Sequence, residues 1–69
     1  MKTLKPSEIK NVRGDLEMSQ AQFARAFHLS FRTVQQWEQG VTKPSGPTAV
    51  LLWLIAQIPH QILKALKND

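Results

Sequence analysis

Sixty-nine residues allow one small domain with a small core. There is no cysteine, which excludes disulfides and cysteine-based metal sites, and nine Lys/Arg against five Asp/Glu leave a net charge of +4, which favours an anionic partner such as nucleic acid. The longest apolar run, Ala49 to Ala56, is too short for a bilayer span, and the opening MKTLKPSE carries no apolar leader, so no membrane role is expected; the acids and the two histidines are scattered without a nucleophile–base set or metal-ligand spacing, so neither an enzyme nor a cofactor is expected.

Residues 1–6 read as a short basic arm before a domain over 7–67. Lys2 and Lys5 either fray with the terminus or touch a phosphate or the minor groove. Pro6-Ser7-Glu8 opens a first helix, with its acid where the helix dipole favours one. Ile9, Val12 and Leu16 give it one apolar face, and Gly14 costs it about 1 kcal/mol against Ala with no reason visible in the pattern.

The stretch 19–40, SQAQFARAFHLSFRTVQQWEQG, holds two short amphipathic segments joined by a tight turn. Ser19 and Gln22 are spaced as a capping box, and Phe23, Ala24 and Phe27 recur at helical spacing, which predicts helix 2 over Gln20–Phe27. His28-Leu29 breaks the pattern. Ser30 caps helix 3, Phe31–Gln39, in which Val34 and Trp37 point inward and Gly40 supplies the stop. Its outer face carries Phe31, Arg32, Thr33, Gln35 and Gln36, side chains that suit base edges and phosphates. Arg32 can take both acceptors of a guanine in one planar fork, Gln36 one turn further along can pair with adenine, and Phe31 suits a thymine methyl. Thr33 and Gln35 suit bases or phosphates, or face solvent. The helix 2 N-terminus is a phosphate seat to which Gln20 adds an amide donor, while Gln22 serves either there or in the cap. The arrangement reads as a helix-turn-helix whose second helix enters the DNA major groove.

In the loop GVTKPS, Thr42 and Lys43 are candidates for the DNA backbone, and the other reading is an ordinary turn punctuated by Gly40 and Pro44. Ser45 is expected to cap helix 4, with Leu51, Leu52, Leu54, Ile55 and Ile58 facing the core. Val50 and Trp53 are then left over, with Gln57 on the same side, which suggests a twofold dimer using Trp53 with part of helix 5; the alternative folds Trp53 under helix 5 as core. Pro59 ends helix 4 and opens helix 5, whose apolar stripe is Ile62, Leu63 and Leu66, with Lys64 and Lys67 complementing its C-terminal dipole. The expected fold is all-α, a compact five-helix bundle containing a helix-turn-helix.

SQAQFARAFHLSFRTVQQWEQG resembles the helix-turn-helix of the Xre family, also called the Cro/phage-repressor type, and the following KPSGPTAVLLWLI resembles a narrower branch, the HigA-like antitoxins and related small regulators. The resemblance covers about Ser7 to Leu66 and implies a lambda-repressor-like DNA-binding domain. It implies that Arg13 pairs with Glu38, tying helix 1 to helix 3. It implies that Gln20, Thr42 and Lys43 meet phosphates. Glu17 and His28 stand at turn positions where relatives often carry glycine; histidine tolerates positive φ better than glutamate, so a different backbone is expected at the first turn. The implied function is a sequence-specific DNA-binding regulator in the cytoplasm, a repressor reading an inverted repeat in a toxin–antitoxin operon. The alternative is an antitoxin whose main role is neutralising a RelE-like ribonuclease toxin. Double-stranded DNA, a second copy of the chain and a small toxin are the implied partners.

Overall fold

A computed structural model describes residues 3–67; Met1, Lys2, Asn68 and Asp69, and with them the expectation for Lys2, lie outside the described residues. The helices are α1 (Pro6–Asp15), α2 (Gln20–Ala26), α3 (Phe31–Gln39), α4 (Gly46–Gln57) and α5 (Pro59–Lys67), and the described residues contain no strand. α3 packs on α1 and α2, α4 packs on α1, and α5 turns back from α4 at an angle of 110°. Ile9, Phe23, Phe27, Val34, Leu52 and Ile55 form the sealed centre, closed by Leu4, Ala24 and Trp37. Phe23 on α2 and Phe27 at its C-cap stand one turn apart, with ring centroids 4.9 Å apart and planes tilted by 54°, a favourable aromatic arrangement.

One device ends each of the first three helices. The last turn is closed by two backbone bonds, from a left-handed residue and from the residue after it, to carbonyls near the helix end. Glu17 N and Met18 N donate to Gly14 O and Arg13 O at 2.9 and 3.2 Å. His28 N and Leu29 N donate to Arg25 O and Ala24 O at 3.4 and 2.7 Å. Gly40 N and Val41 N donate to Trp37 O and Gln36 O at 3.2 and 2.9 Å. The left-handed residues are Glu17 (φ 56°), His28 (φ 58°) and Gly40 (φ 77°). After Glu17 and His28 the chain repeats one plan: a half-buried apolar residue, Met18 or Leu29, then a serine cap. Ser19 Oγ accepts from Gln22 N at 3.1 Å while Gln22 Oε1 accepts from Ser19 N at 2.8 Å, completing the capping box of α2. Ser30 Oγ accepts more loosely from Thr33 N, at 3.4 Å.

Several sequence expectations need correction. The first turn keeps the positive-φ backbone despite Glu17, because two ladder bonds and the packing of Met18 hold it there. The arm is not free throughout: Leu4 is only 8% exposed and belongs to the core, and Glu8 Oε1 accepts from Lys5 N at 2.8 Å. α2 stops at Ala26, with Phe27 as its C-cap. Ser45 stands at the N-cap of α4, but its side chain makes no cap bond; the chain enters α4 through Gly46 at φ 56°. On α4, Leu52, Ile55 and the unexpected Ala49 are buried, Leu51 and Trp53 are half-buried, and Leu54 and Ile58 are exposed at 37% and 42%. α4 is apolar on every side, so its periodicity cannot choose the buried face.

Candidate nucleic-acid interface

The site is built around one nearly sealed carboxylate. Glu38, in the last turn of α3, has a side chain 1% exposed, and Arg13 on α1, 22% exposed, grips it with both edges of its fork. Arg13 Nε donates to Oε2 at 2.8 Å and Nη2 to Oε1 at 2.9 Å. Nη1 donates to Met18 O at 3.0 Å, and Gln20 Nε2 at the start of α2 donates to Glu38 Oε1 at 3.1 Å. One carboxylate therefore joins α1, the first turn, α2 and α3. Burial pushes the Glu38 carboxyl up, but the hydrogen bonds from Arg13 and Gln20 and the charges of Arg13 and Lys10 outweigh it and hold the group below its ordinary range. The bond to Glu38 raises the Arg13 guanidinium above its ordinary value, against the opposing effect of burial. A bidentate guanidinium–carboxylate pair fixes angle as well as distance, so α3 is held rigidly against α1 and α2.

The outward side of α3 is polar and accessible. Phe31 is 46% exposed and Arg32 is exposed, while Thr33, Gln35 and Gln36 are half-buried. Among the described residues, no hydrogen bond or ion pair holds the Arg32 side chain. The glutamines at the start of α2 are already engaged: Gln20 gives one amide hydrogen to Glu38, and Gln22 commits its oxygen to the cap, leaving amide N–H groups of each for another acceptor. At the start of α3 a polar groove of about 400 Å³ brings Ser30 and Thr33 beside Thr42, Lys43 and Thr48. Thr42 and Lys43 follow the C-terminal end of α3 in sequence, yet the loop returns them to one recess with its N-terminus. Ser45, expected only as a cap, and Thr48, not singled out from the sequence, also line this groove from the entry to α4. Val50 and Gln57 are exposed and Trp53 half-buried on α4, remote in sequence from the α3 face. Among the described residues, no group of three His, Asp or Glu side chains is placed to hold a metal ion.

The comparisons agree with this fold. The family model described as helix-turn-helix matches residues 9–53, more than half of the chain. Antitoxin HigA-2 of Vibrio cholerae serotype O1 is 39% identical over 59 residues, covering 86% of this chain and 57% of the antitoxin, so the chain spans little more than half the length of that relative. The crystal structure of a "HTH XRE-family like protein" from Agrobacterium tumefaciens superposes with a TM-score of 0.80 at 34% identity, covering 86% of this chain and 95% of that one. The matched span includes most of α1, the α2–α3 pair and the Arg13–Glu38 pair that locks them. This chain belongs to the Xre-type helix-turn-helix family of DNA-binding domains.

Proposed function

We propose that the chain is a transcriptional repressor that reads an inverted-repeat operator with α3, in the cytoplasm and in a toxin–antitoxin setting. One observation carries the reading: a nearly sealed Glu38, gripped by Arg13 and Gln20, fixes α3 while its outer face stays polar and accessible. Such a helix loses little conformational freedom on meeting DNA. Arg32 takes guanine O6 and N7, Gln36 takes adenine, and Phe31 packs on a thymine methyl. Thr33 and Gln35 adjust to bases or the adjoining backbone. Gln20, Gln22, Thr42 and Lys43 receive phosphates, which set affinity and register but carry no sequence information. Two copies pair through α4, using Val50, Trp53 and Gln57 together with Leu54 and Ile58, and so present two recognition helices to one palindrome.

Selection of random DNA by the purified protein, with Arg32→Ala in parallel, tests the reading. Wild type enriches an inverted repeat. Arg32→Ala loses about 1–3 kcal/mol and relaxes preference at one position of each half-site, while Lys43→Ala weakens all sequences alike and lowers the salt slope by about one. Identical behaviour of the two variants on matched and scrambled DNA removes the base-reading role of Arg32.

A second reading is favoured by the similarity to Antitoxin HigA-2: the main role is to bind and silence a small ribonuclease toxin of the RelE-like kind. Co-expression with the product of the adjacent gene discriminates. Rescue of growth together with a purified complex supports the antitoxin role; neither leaves the repressor alone.

A further inference from the structure

A second groove, which shares only His28 with the one beside α3 and lies off the α4 stripe, has a composition that DNA does not require. It holds about 660 Å³ between the end of α2 and α5. Its floor is apolar: Met18 from the first turn, Ala26 from α2, and Leu63 and Leu66 from α5, all half-buried. Its rim is basic: Lys64 and Lys67, one turn apart on α5, with His60 at the start of that helix and His28 in the α2–α3 turn. The chain has two histidines, and both stand here. Among the described residues, no carboxylate lines the groove.

From this juxtaposition we infer that the groove docks a short acidic segment of a partner protein, which seats apolar side chains on the Leu63–Leu66 floor and places carboxylates against Lys64 and Lys67. Helix-lined grooves take partners in this way, through apolar anchors at the centre and charge at the edge. A phosphodiester backbone suits the rim but not the floor. A second copy of the chain brings a net charge of +4 and the same two lysines, whereas α4, which carries no charged residue, offers a copy an uncharged face. The groove is partly open to solvent, which suits a peptide laid across it better than a small molecule that must be enclosed. The inference does not depend on the operator-reading role of α3.

The probe is a library of random twelve-residue peptides displayed against the immobilised full chain, followed by amide chemical-shift mapping of the enriched peptides. Enriched peptides are expected to carry Asp or Glu flanking Leu or Phe, to shift Met18, Ala26, Leu63 and Leu66, and to fade as salt rises. Lys64→Gln/Lys67→Gln should weaken them on the order of fivefold to tenfold while the protein keeps its helical circular dichroism and its DNA selection pattern. The inference is overturned by peptides without acidic bias, by shifts centred on Val50 and Leu54, by binding that survives loss of both lysines, or by no enrichment. Groove shifts that follow protein concentration alone overturn it too, because a second copy then occupies the site. Failure here leaves DNA selection intact, and failure of DNA selection leaves the groove result standing, so the two readings fall separately.

Discussion

At the residue scale the decisive group is Glu38. Its carboxyl is held below the ordinary range, so the folded state binds the proton less readily than the unfolded chain. The stability this contributes is full above the ordinary carboxylate value of 4.5 and is lost as the pH falls through the lower folded value. Arg13, raised above its ordinary value, loses its contribution only at strongly alkaline pH, outside the range in which the chain would normally be handled. Arg13→Met leaves Glu38 sealed without its main partner, and the expected loss is about 3 kcal/mol, because an uncompensated buried charge costs more than the pair is worth. Burial is the largest single influence on this carboxyl, so the same variant should lose its acid-side fall in stability. Urea unfolding of wild type and Arg13→Met between about pH 3 and 7 checks both, a window that brackets the ordinary carboxylate range; parallel pH profiles would mean that the pair does not govern acid stability. Glu38→Gln keeps the shape and removes the charge. It should lower stability by about 2 kcal/mol, which for a domain of this size moves Tm by roughly 10 °C.

At the element scale, three helices end alike but only α3 has glycine at the left-handed position. Glu17 and His28 carry backbone strain there of about 1–2 kcal/mol, and the relief when glycine replaces them is partly offset by the extra freedom glycine gives the unfolded chain. Glu17→Gly is therefore expected to stabilise by about 0.5–1 kcal/mol, and His28→Gly by less, since histidine tolerates the region better. Gly14 sits inside α1, and a Cβ added there would meet nothing within 4 Å, so Gly14→Ala should add roughly 0.5–1 kcal/mol. Thermal melts of the three variants test these signs, and a destabilised Glu17→Gly would show that its side chain supports the turn. The same elements show what could be read beforehand. The capping box, the Ser30 cap and the Gly40 stop were legible because they depend on residue type at fixed spacing. The first turn was not, because its backbone is imposed by Met18 packing and by bonds to Arg13 and Gly14, and the local preference of glutamate argues against it. The buried face of α4 was not legible either, since Val50, Leu51, Leu52, Trp53, Leu54 and Ile55 are all apolar and only contact with α1 and α5 selects among them. Of the site, the outward residue types of α3 were readable, whereas the engagement of Gln20 with Glu38 needs the fold.

At the scale of the whole molecule, the described chain measures 33 × 25 × 19 Å. Successive major grooves on one side of DNA lie about 34 Å apart, so under the proposed operator reading one copy, with one α3, would address a single half-site and a palindrome would need two. The α4 surface suits that pairing: Val50, Leu54 and Ile58 follow one another at four-residue intervals, exposed at 43%, 37% and 42%, with Trp53 half-buried beside them and no charge on the helix. A pair of short helices crossing about a twofold axis buries an area at the low end of stable interfaces, roughly 1,200 Å² in total, so the free dimer should be weak and the operator should tighten it. Leu54→Lys places like charges against each other across the axis without opening a cavity, because the side chain already reaches solvent. Sedimentation should show wild type passing from monomer to dimer with rising concentration and Leu54→Lys remaining monomeric with an unchanged melting temperature. On DNA, the variant should keep its affinity for an isolated half-site and lose the additional affinity that the inverted repeat confers, a loss of about tenfold or more, because the second copy no longer binds at the raised effective concentration that the first one creates. Unchanged binding to the inverted repeat, together with an unchanged dimer, would place the twofold contact on a surface other than α4.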